Sequence, residues 1–208
     1  MADTSVVLPG DTFQARHLMI QTLPAGTRVF RVTKGEYAVS PPPFRPLEGT
    51  APKPDHRFHS PAGLYRIAYF GLEEEAAFVE SQFRGPTRRK TLPTRPDLFL
   101  VDFEIGVDLQ VVLLARQGLP IAGATTGSLT GPYEVSSAWG EAVFRREERF
   151  EGLIYPSTRA SHLECLAIFD RTDTSQVFRH RGARELRMDE RPLRDWAAEY
   201  RIGWIRSG

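Results

Sequence analysis

The stretch RFHSPAGLYRIAYFGLEEEAAFVESQFR, residues 57–84, constrains the fold more than any other part of the chain. Residues 64–70 are rich in aromatic and branched side chains, as a strand requires, and Gly71 is followed by Glu73, Glu74 and Glu75. Acidic residues there complement the positive end of a helix dipole, so a helix is expected to begin at this point. Glu80 has Ala76, Ala77 and Phe83 as neighbours at helical spacing, which places a carboxylate on the small apolar stripe that should face a sheet. A carboxylate turned inward is costly unless it is paired or used. Two readings stay open on this helix alone: a site residue, or a surface ion pair with Arg84 one turn on.

The remaining chain alternates strand-like and helix-like segments. A short helix is expected over 15–21, and residues 27–33 alternate as a strand with Phe30 and Val32 on one face and Val29, Arg31 and Thr33 on the other. Arg31 is then either a solvent-facing edge residue or a guanidinium aimed into a cleft, and the strand alone favours the edge. Residues 40–55 carry too many prolines for regular structure and read as a long loop, of the kind that serves as a lid or binding loop. A second basic, proline-containing loop spans 85–96. Strands are expected over 98–105, 107–114, 152–155 and 163–170, with a last strand or two within 176–187. An amphipathic helix is expected over 133–145 and a closing helix over 192–202, with Pro192 near its first turn. Residues 118–131 read as a Gly- and Thr-rich connection. The order, rich in strands with short helices between them, points to the α+β class.

Composition narrows the function. The chain has 208 residues, enough for one domain with a substantial core, and 27 basic residues nearly cancel 26 acidic ones. Binding to nucleic acid or a membrane surface through overall charge is therefore not expected. The single cysteine, Cys165, rules out an internal disulfide and reads as a buried structural thiol. The N-terminus has no basic segment followed by an apolar core, and no apolar run approaches the roughly 20 residues of a membrane span, so a cytoplasmic location is expected.

Standard motifs for dinucleotide, nucleoside triphosphate, zinc-protease or serine-hydrolase chemistry are missing. His56 and His59 form an H-x-x-H pair in a loop without a third ligand nearby, so no metal site is expected. Ser157 has His162 and Asp170 downstream, but the strained elbow and oxyanion-hole signature of a hydrolase triad are lacking. What remains is a set: Arg31 on a strand, Arg57 in a loop, Tyr65 and Tyr69 on one strand, Glu80 on an inward helix face and Ser157 at a strand end. Such a set suits a phosphorylated ligand with a flat ring. Arginines fork onto pyrophosphate, tyrosines stack on a base, and a glutamate stabilises positive charge developing on a sugar.

In order along the chain stand Arg28-Val29-Phe30-Arg31, Arg57-Phe58-His59-Ser60-Pro61, Tyr69, Ala76-Ala77-Phe78-Val79-Glu80, Tyr133, Trp139, Gly152-Leu153-Ile154-Tyr155-Pro156-Ser157 and Cys165-Leu166-Ala167-Ile168-Phe169-Asp170. This pattern resembles the RES-domain family, named for its Arg, Glu and Ser. The likeness runs over about residues 28–171 of a chain read as a single domain, 1–208. Where many members carry Gly-Arg-Trp-Asn, this chain has His56-Arg57-Phe58-His59, and its preceding proline-rich loop is long.

The resemblance implies an ADP-ribosyltransferase-like fold of two packed sheets with a cleft between them. It implies an enzyme that attacks NAD+ at the nicotinamide–ribose bond, an NAD+ phosphorylase or glycohydrolase. Inorganic phosphate is then the co-substrate and no cofactor or metal is involved. It also implies a toxin of a toxin–antitoxin pair, held by a partner with an Xre-like domain. By the same resemblance, Arg31 and Arg57 hold phosphate or pyrophosphate, and Tyr69 packs beside nicotinamide with Tyr65 as its neighbour. Glu80 bonds the ribose and stabilises an oxocarbenium-like transition state, and Ser157 orients the ribose or the amide. A protein ADP-ribosyltransferase and a non-catalytic nucleotide-binding or interaction module are the other readings. Replacing Glu80 by Ala is expected to remove the chemistry with little loss of folding.

Overall fold

A computed structural model describes residues 5–35, 38, 44, 56–83, 91–93, 97–158, 160–171 and 177–205. The strands are β1 (Ile20–Leu23), β2 (Arg28–Lys34), β3 (Ile67–Gly71), β4 (Thr91–Pro93), β5 (Leu98–Ile105), β6 (Leu109–Leu113), β7 (Gly152–Pro156), β8 (Glu164–Phe169), β9 (Phe178–Glu185) and β10 (Gly203–Ile205). The helices are α1 (Glu74–Gln82), α2 (Gly118–Ala122), α3 (Thr126–Thr130), α4 (Tyr133–Phe144) and α5 (Leu193–Glu199). Among the described residues, eight strands form one sheet in the order β1-β6-β7-β8-β3-β2-β5-β9, and β10 pairs with β4 in a separate two-stranded ribbon. The mixed class is as expected. Two separately bonded, packed sheets are not what forms: hydrogen bonding runs through all eight strands.

That continuity is thin at one place. Strand β2 pairs with β5 along its whole length, from Arg28↔Glu104 to Lys34↔Leu98, but meets β3 at a single register position, Phe30↔Gly71. The sheet therefore consists of two well-bonded halves hinged at one pair. Arg31 lies on the open side of that join, in an interior strand, and so is not the sheet-edge residue its local pattern favoured.

Within the eight-stranded sheet every junction except one is antiparallel. Strands β6 and β7 run parallel, with Val112 opposite Leu153, and a parallel neighbour requires a long crossover. The segment holding α2, α3 and α4 provides it. Residues 118–131, read as a plain connection, thus contain two short helices. The second begins at a capping box in which Thr125 accepts from the backbone N–H of Ser128. Near the N-terminus a 3-10 turn, Asp11–Ala15, and strand β1 replace the helix expected over 15–21. Pairing of Ile20 with Val112 outweighs the local preference there. The expected loop over 40–55 falls almost wholly outside the described residues, as does Arg84, while the described part of the loop expected over 85–96, Thr91–Pro93, is strand β4, held by pairing with β10.

Alternation along the strands buries both faces of the sheet. Val29, Ala68, Phe70, Phe103 and Phe178 form one core, with Phe70 stacked on Phe178 at 4.5 Å. Phe30, Ile67, Phe78, Trp139, Phe169 and Trp196 belong to the other, on the face that carries the helices. There Phe78 of α1 stacks on Trp196 of α5 at 5.0 Å, so the C-terminal helix backs the helix that carries Glu80. Phe78 is fully buried, and truncating such a ring costs about 3–5 kcal/mol.

Gly71 explains the sharp passage from β3 into α1. A Cβ there would lie 2.3 Å from the amide nitrogen of Ala77 and 2.6 Å from the carbonyl oxygen of Glu73, both backbone atoms. Only a residue without a side chain lets the first turn of the helix fold back onto the strand end.

Candidate active site

A cavity of about 710 Å³ opens where β2 and β3 part, within the size range of small-ligand sites. Its wall takes Arg31 and Lys34 from β2, Tyr69 from β3, Glu80 from α1, His56 and Arg57 from the loop before β3, and Thr158 from the end of β7. Thr130, Gly131 and Tyr133, from α3 and the start of α4, close another side.

Glu80 sits as its helical neighbours foretell. Ala76 and Ala77 are buried against the sheet, and the carboxylate, half-buried one turn on, reaches the end of β7. Its Oε1 accepts from the hydroxyl of Ser157 at 2.7 Å, from the amide of Thr158 at 2.8 Å and from the hydroxyl of Thr158 at 3.2 Å. Three donors converging on one oxygen fix the plane and rotamer of the carboxylate; hydrogen bonds to a charged acceptor are about twice as strong as neutral ones. The proposed contact with Arg84 lies outside the described residues, but this inward clasp shows the carboxylate turned toward the cavity wall.

Ser157 is 1% exposed, behind the lining, and its hydroxyl donates to Glu80. The hydroxyl-bearing residue that lines the cavity next to Glu80 is Thr158. Nor does Ser157 build a hydrolase triad: Asp170 is engaged by Arg66, whose Nε donates at 2.7 Å and whose backbone N–H donates at 2.9 Å.

Arg57 donates from Nη1 to the carbonyl of Leu129 at the end of α3, and its guanidinium lies 5.6 Å from the Tyr133 ring centre. It is aimed by its neighbour Phe58, whose φ of 54° is in the left-handed region. Such a conformation in a bulky residue persists only where the surroundings enforce it. Here the Phe58 ring is fully buried edge-on against Tyr155 at 4.8 Å, and its carbonyl accepts from the Tyr65 hydroxyl at 2.8 Å.

This is where the structure departs from the expectation for Tyr65. It precedes β3, is 3% exposed, and packs between Phe144 and Phe169 at 4.7 and 4.6 Å. It is not in the cavity wall. Its ring belongs to the core and its hydroxyl braces the turn that carries Arg57. Gly140 of α4 makes room for it, since a Cβ there would lie 2.5 Å from the Tyr65 hydroxyl oxygen.

Tyr69 does line the cavity, half-buried, with His56 edge-on at 5.9 Å. His56 in turn meets the buried His59 at 4.7 Å. Among the described residues no group of three or more His, Cys, Asp or Glu side chains is arranged to hold a metal ion, and no helix is long and apolar enough to cross a membrane.

Burial controls Tyr155, a further lining residue, and Cys165 behind it. It pushes the Tyr155 phenol and the Cys165 thiol well above their ordinary values, and the nearby Glu80 charge acts in the same direction on both. Both stay neutral at physiological pH, and Cys165 is a buried free thiol as its apolar surroundings suggest.

Sequence reasoning thus found four of the wall residues, Arg31, Arg57, Tyr69 and Glu80. It missed Thr158, Thr130 and Gly131. For Thr158 a signal existed, since a second hydroxyl adjoins Ser157. For the other two, the Thr125-x-x-Ser128 cap before a short helix was the available sign.

The fold and site define an α+β protein in which, among the described residues, one carboxylate, that of Glu80, shares the lining of a cleft between two half-sheets with Arg31, Lys34 and Arg57. The RES domain family model matches residues 28–197, and the chain belongs to that family. The match extends past residue 171 into α5, the helix that backs α1. Among solved structures, the chain is similar to one from the M. tuberculosis MbcT-MbcA toxin-antitoxin complex. The TM-score is 0.53 at 17% identity, over 86% of this chain and 90% of the other. At that identity the likeness is one of fold. Comparison with curated proteins gave no match.

Proposed function

We propose that this protein breaks the nicotinamide–ribose bond of NAD+, passing the ADP-ribosyl group to inorganic phosphate, with water as the second acceptor. The observation that carries this reading is that Arg31, Arg57 and the fixed Glu80 carboxylate line one cavity.

The chemistry asks for that arrangement. The C1′–N bond breaks with its electron pair going to nicotinamide, which leaves as a neutral base. The ribose is left with oxocarbenium character, and a carboxylate already locked in place stabilises it without reorganising. A phosphate oxygen then attacks C1′ to give ADP-ribose 1″-phosphate. Arg31 and Arg57 supply the planar, permanently charged donors that suit the pyrophosphate, and Tyr69 a ring to pack beside nicotinamide. Tyr65 and Ser157 act through Arg57 and Glu80 respectively. No resident cofactor or metal is assigned: NAD+ is the substrate and phosphate the co-substrate. The hinge between half-sheets supports an ADP-ribosyltransferase-like description of the fold.

Family membership, and the fold shared with a chain of a toxin–antitoxin complex, support a role as a cytoplasmic toxin paired with an Xre-like antitoxin. The test is NMR of NAD+ incubated with purified protein, with and without phosphate. Free nicotinamide is expected in both, with ADP-ribose 1″-phosphate when phosphate is present. In a parallel incubation with labelled NAD+, label retained on protein would make the enzyme a protein ADP-ribosyltransferase. NAD+ binding without turnover would make it a nucleotide-binding module.

A further inference from the structure

Two hydroxyls meet one carboxylate oxygen in this site, and they do not do so equally. The Ser157 hydroxyl is buried and its bond to Glu80 Oε1 is short, 2.7 Å. Thr158 lines the cavity and its hydroxyl's bond to the same oxygen is 3.2 Å, beyond the usual 2.5–3.0 Å of an O–H···O contact. The Thr158 amide meanwhile holds Oε1 at 2.8 Å. Rotating the Thr158 hydroxyl away from Glu80 would leave the carboxylate held by two good donors. Of these three donors, only the two of Thr158 belong to a residue that lines the cavity, and its hydroxyl makes the longest bond and can be given up.

We infer that Thr158 is a substrate-contacting residue, its hydroxyl turning from Glu80 to a hydroxyl of the ribose that bears nicotinamide. Proximity selects that partner. On the NAD+ reading above, on which this inference rests, Glu80 must lie against the reacting ribose, so a group bonded to the same carboxylate oxygen lies beside it too. A ribose hydroxyl both donates and accepts, so it can take the place of either partner in the weak bond it displaces. Thr158 then separates ribosyl from deoxyribosyl substrates, a discrimination Ser157 cannot make from behind the wall.

The experiment compares kcat/KM for NAD+ and for its analogues lacking the 2′- or the 3′-hydroxyl on the nicotinamide ribose, in wild type, Thr158→Val and Thr158→Ser. Intrinsic differences in analogue reactivity cancel when each substrate's loss on mutation is compared. Loss of one neutral hydrogen bond corresponds to about two- to tenfold. Thr158→Val is expected to lose that factor with NAD+ and little with one of the two analogues, and Thr158→Ser to retain wild-type discrimination. Circular dichroism checks folding, and Thr158→Ala gives the same readout if the Val variant does not fold. An equal loss on all three substrates, or none on any, overturns the inference and leaves Thr158 at most a positioning residue for Glu80. Wild-type protein that neither binds nor cleaves NAD+ overturns the NAD+ reading and this inference with it. Cleavage with an unchanged discrimination pattern overturns the inference alone.

Discussion

The hydroxyl of Ser157 donates to Oε1 of Glu80 at 2.7 Å, joining the end of β7 to the inner face of α1 across 77 residues of chain. On the proposed NAD+ chemistry, Ser157 bears on catalysis by holding the carboxylate. Ser157→Ala should lower kcat for nicotinamide release while leaving KM within about twofold, because a buried holder does not bind substrate. The fall should be about tenfold or more, as for loss of one hydrogen bond to a charged group. Steady-state kinetics decide this, and a rise in KM with kcat unchanged would move Ser157 into the substrate contacts.

Glu80 needs two substitutions. Glu80→Gln should keep the packing and an acceptor oxygen while removing the charge, and lower turnover by about a hundredfold or more. Glu80→Ala, expected from the sequence to fold with little loss, also removes the charged acceptor of the 2.7 Å bond donated by the buried Ser157 hydroxyl. Its stability should fall by about 1–3 kcal/mol. Denaturant melts of both variants, read beside nicotinamide release, separate the two effects.

Arg31→Ala should weaken NAD+ binding and turnover together, since Arg31 of β2 lines the cavity and, on the proposed reading, its charge-assisted contacts to phosphate are lost. Arg57→Ala should do the same and in addition leave the Leu129 carbonyl without its donor, so a lower melting temperature is expected for Arg57→Ala than for Arg31→Ala. Calorimetric titration with NAD+ and thermal melts provide the comparison.

Gly140→Ala should destabilise the fold by about 1–3 kcal/mol, because the added carbon meets the Tyr65 hydroxyl at 2.5 Å. Tyr65→Phe should cost about 1 kcal/mol and lower turnover modestly, through the turn at Phe58 that aims Arg57. The double variant should be less destabilised than the sum of the two, since removing the hydroxyl relieves the clash; melts of all three test this.

Alkaline pH should unfold the protein more readily than the charge balance suggests. Burial raises Cys165 well above 9.0, and Tyr65 and Tyr155 well above 10.0. The unfolded chain releases these protons first, so above about pH 9 the native state holds more protons than the unfolded one. Stability must then decline as pH rises. Melts from pH 7 to 11 should show this decline, shallower in Cys165→Ala and Tyr155→Phe.

Strand and helix existence was largely legible, because burial imposes periods that survive in the sequence: β2, β3, α1, β5, α4, β7 and β8 lie where alternation or helical spacing put them. Elements that depend on a distant partner were not. β10 exists because it pairs with β4, and β1 because it pairs with β6. The site divides in the same way. Ala76, Ala77 and Phe83 fixed by local spacing that Glu80 faces inward, and residue chemistry alone made Arg31 and Arg57 candidates for an anion. Only the tertiary structure decided that Tyr65 braces a turn, that Ser157 stands behind the wall, and that Thr158 stands in it. Facing direction along a strand or helix is a local property set by backbone geometry, whereas which hydroxyl reaches a carboxylate depends on where two elements far apart in the chain come to rest.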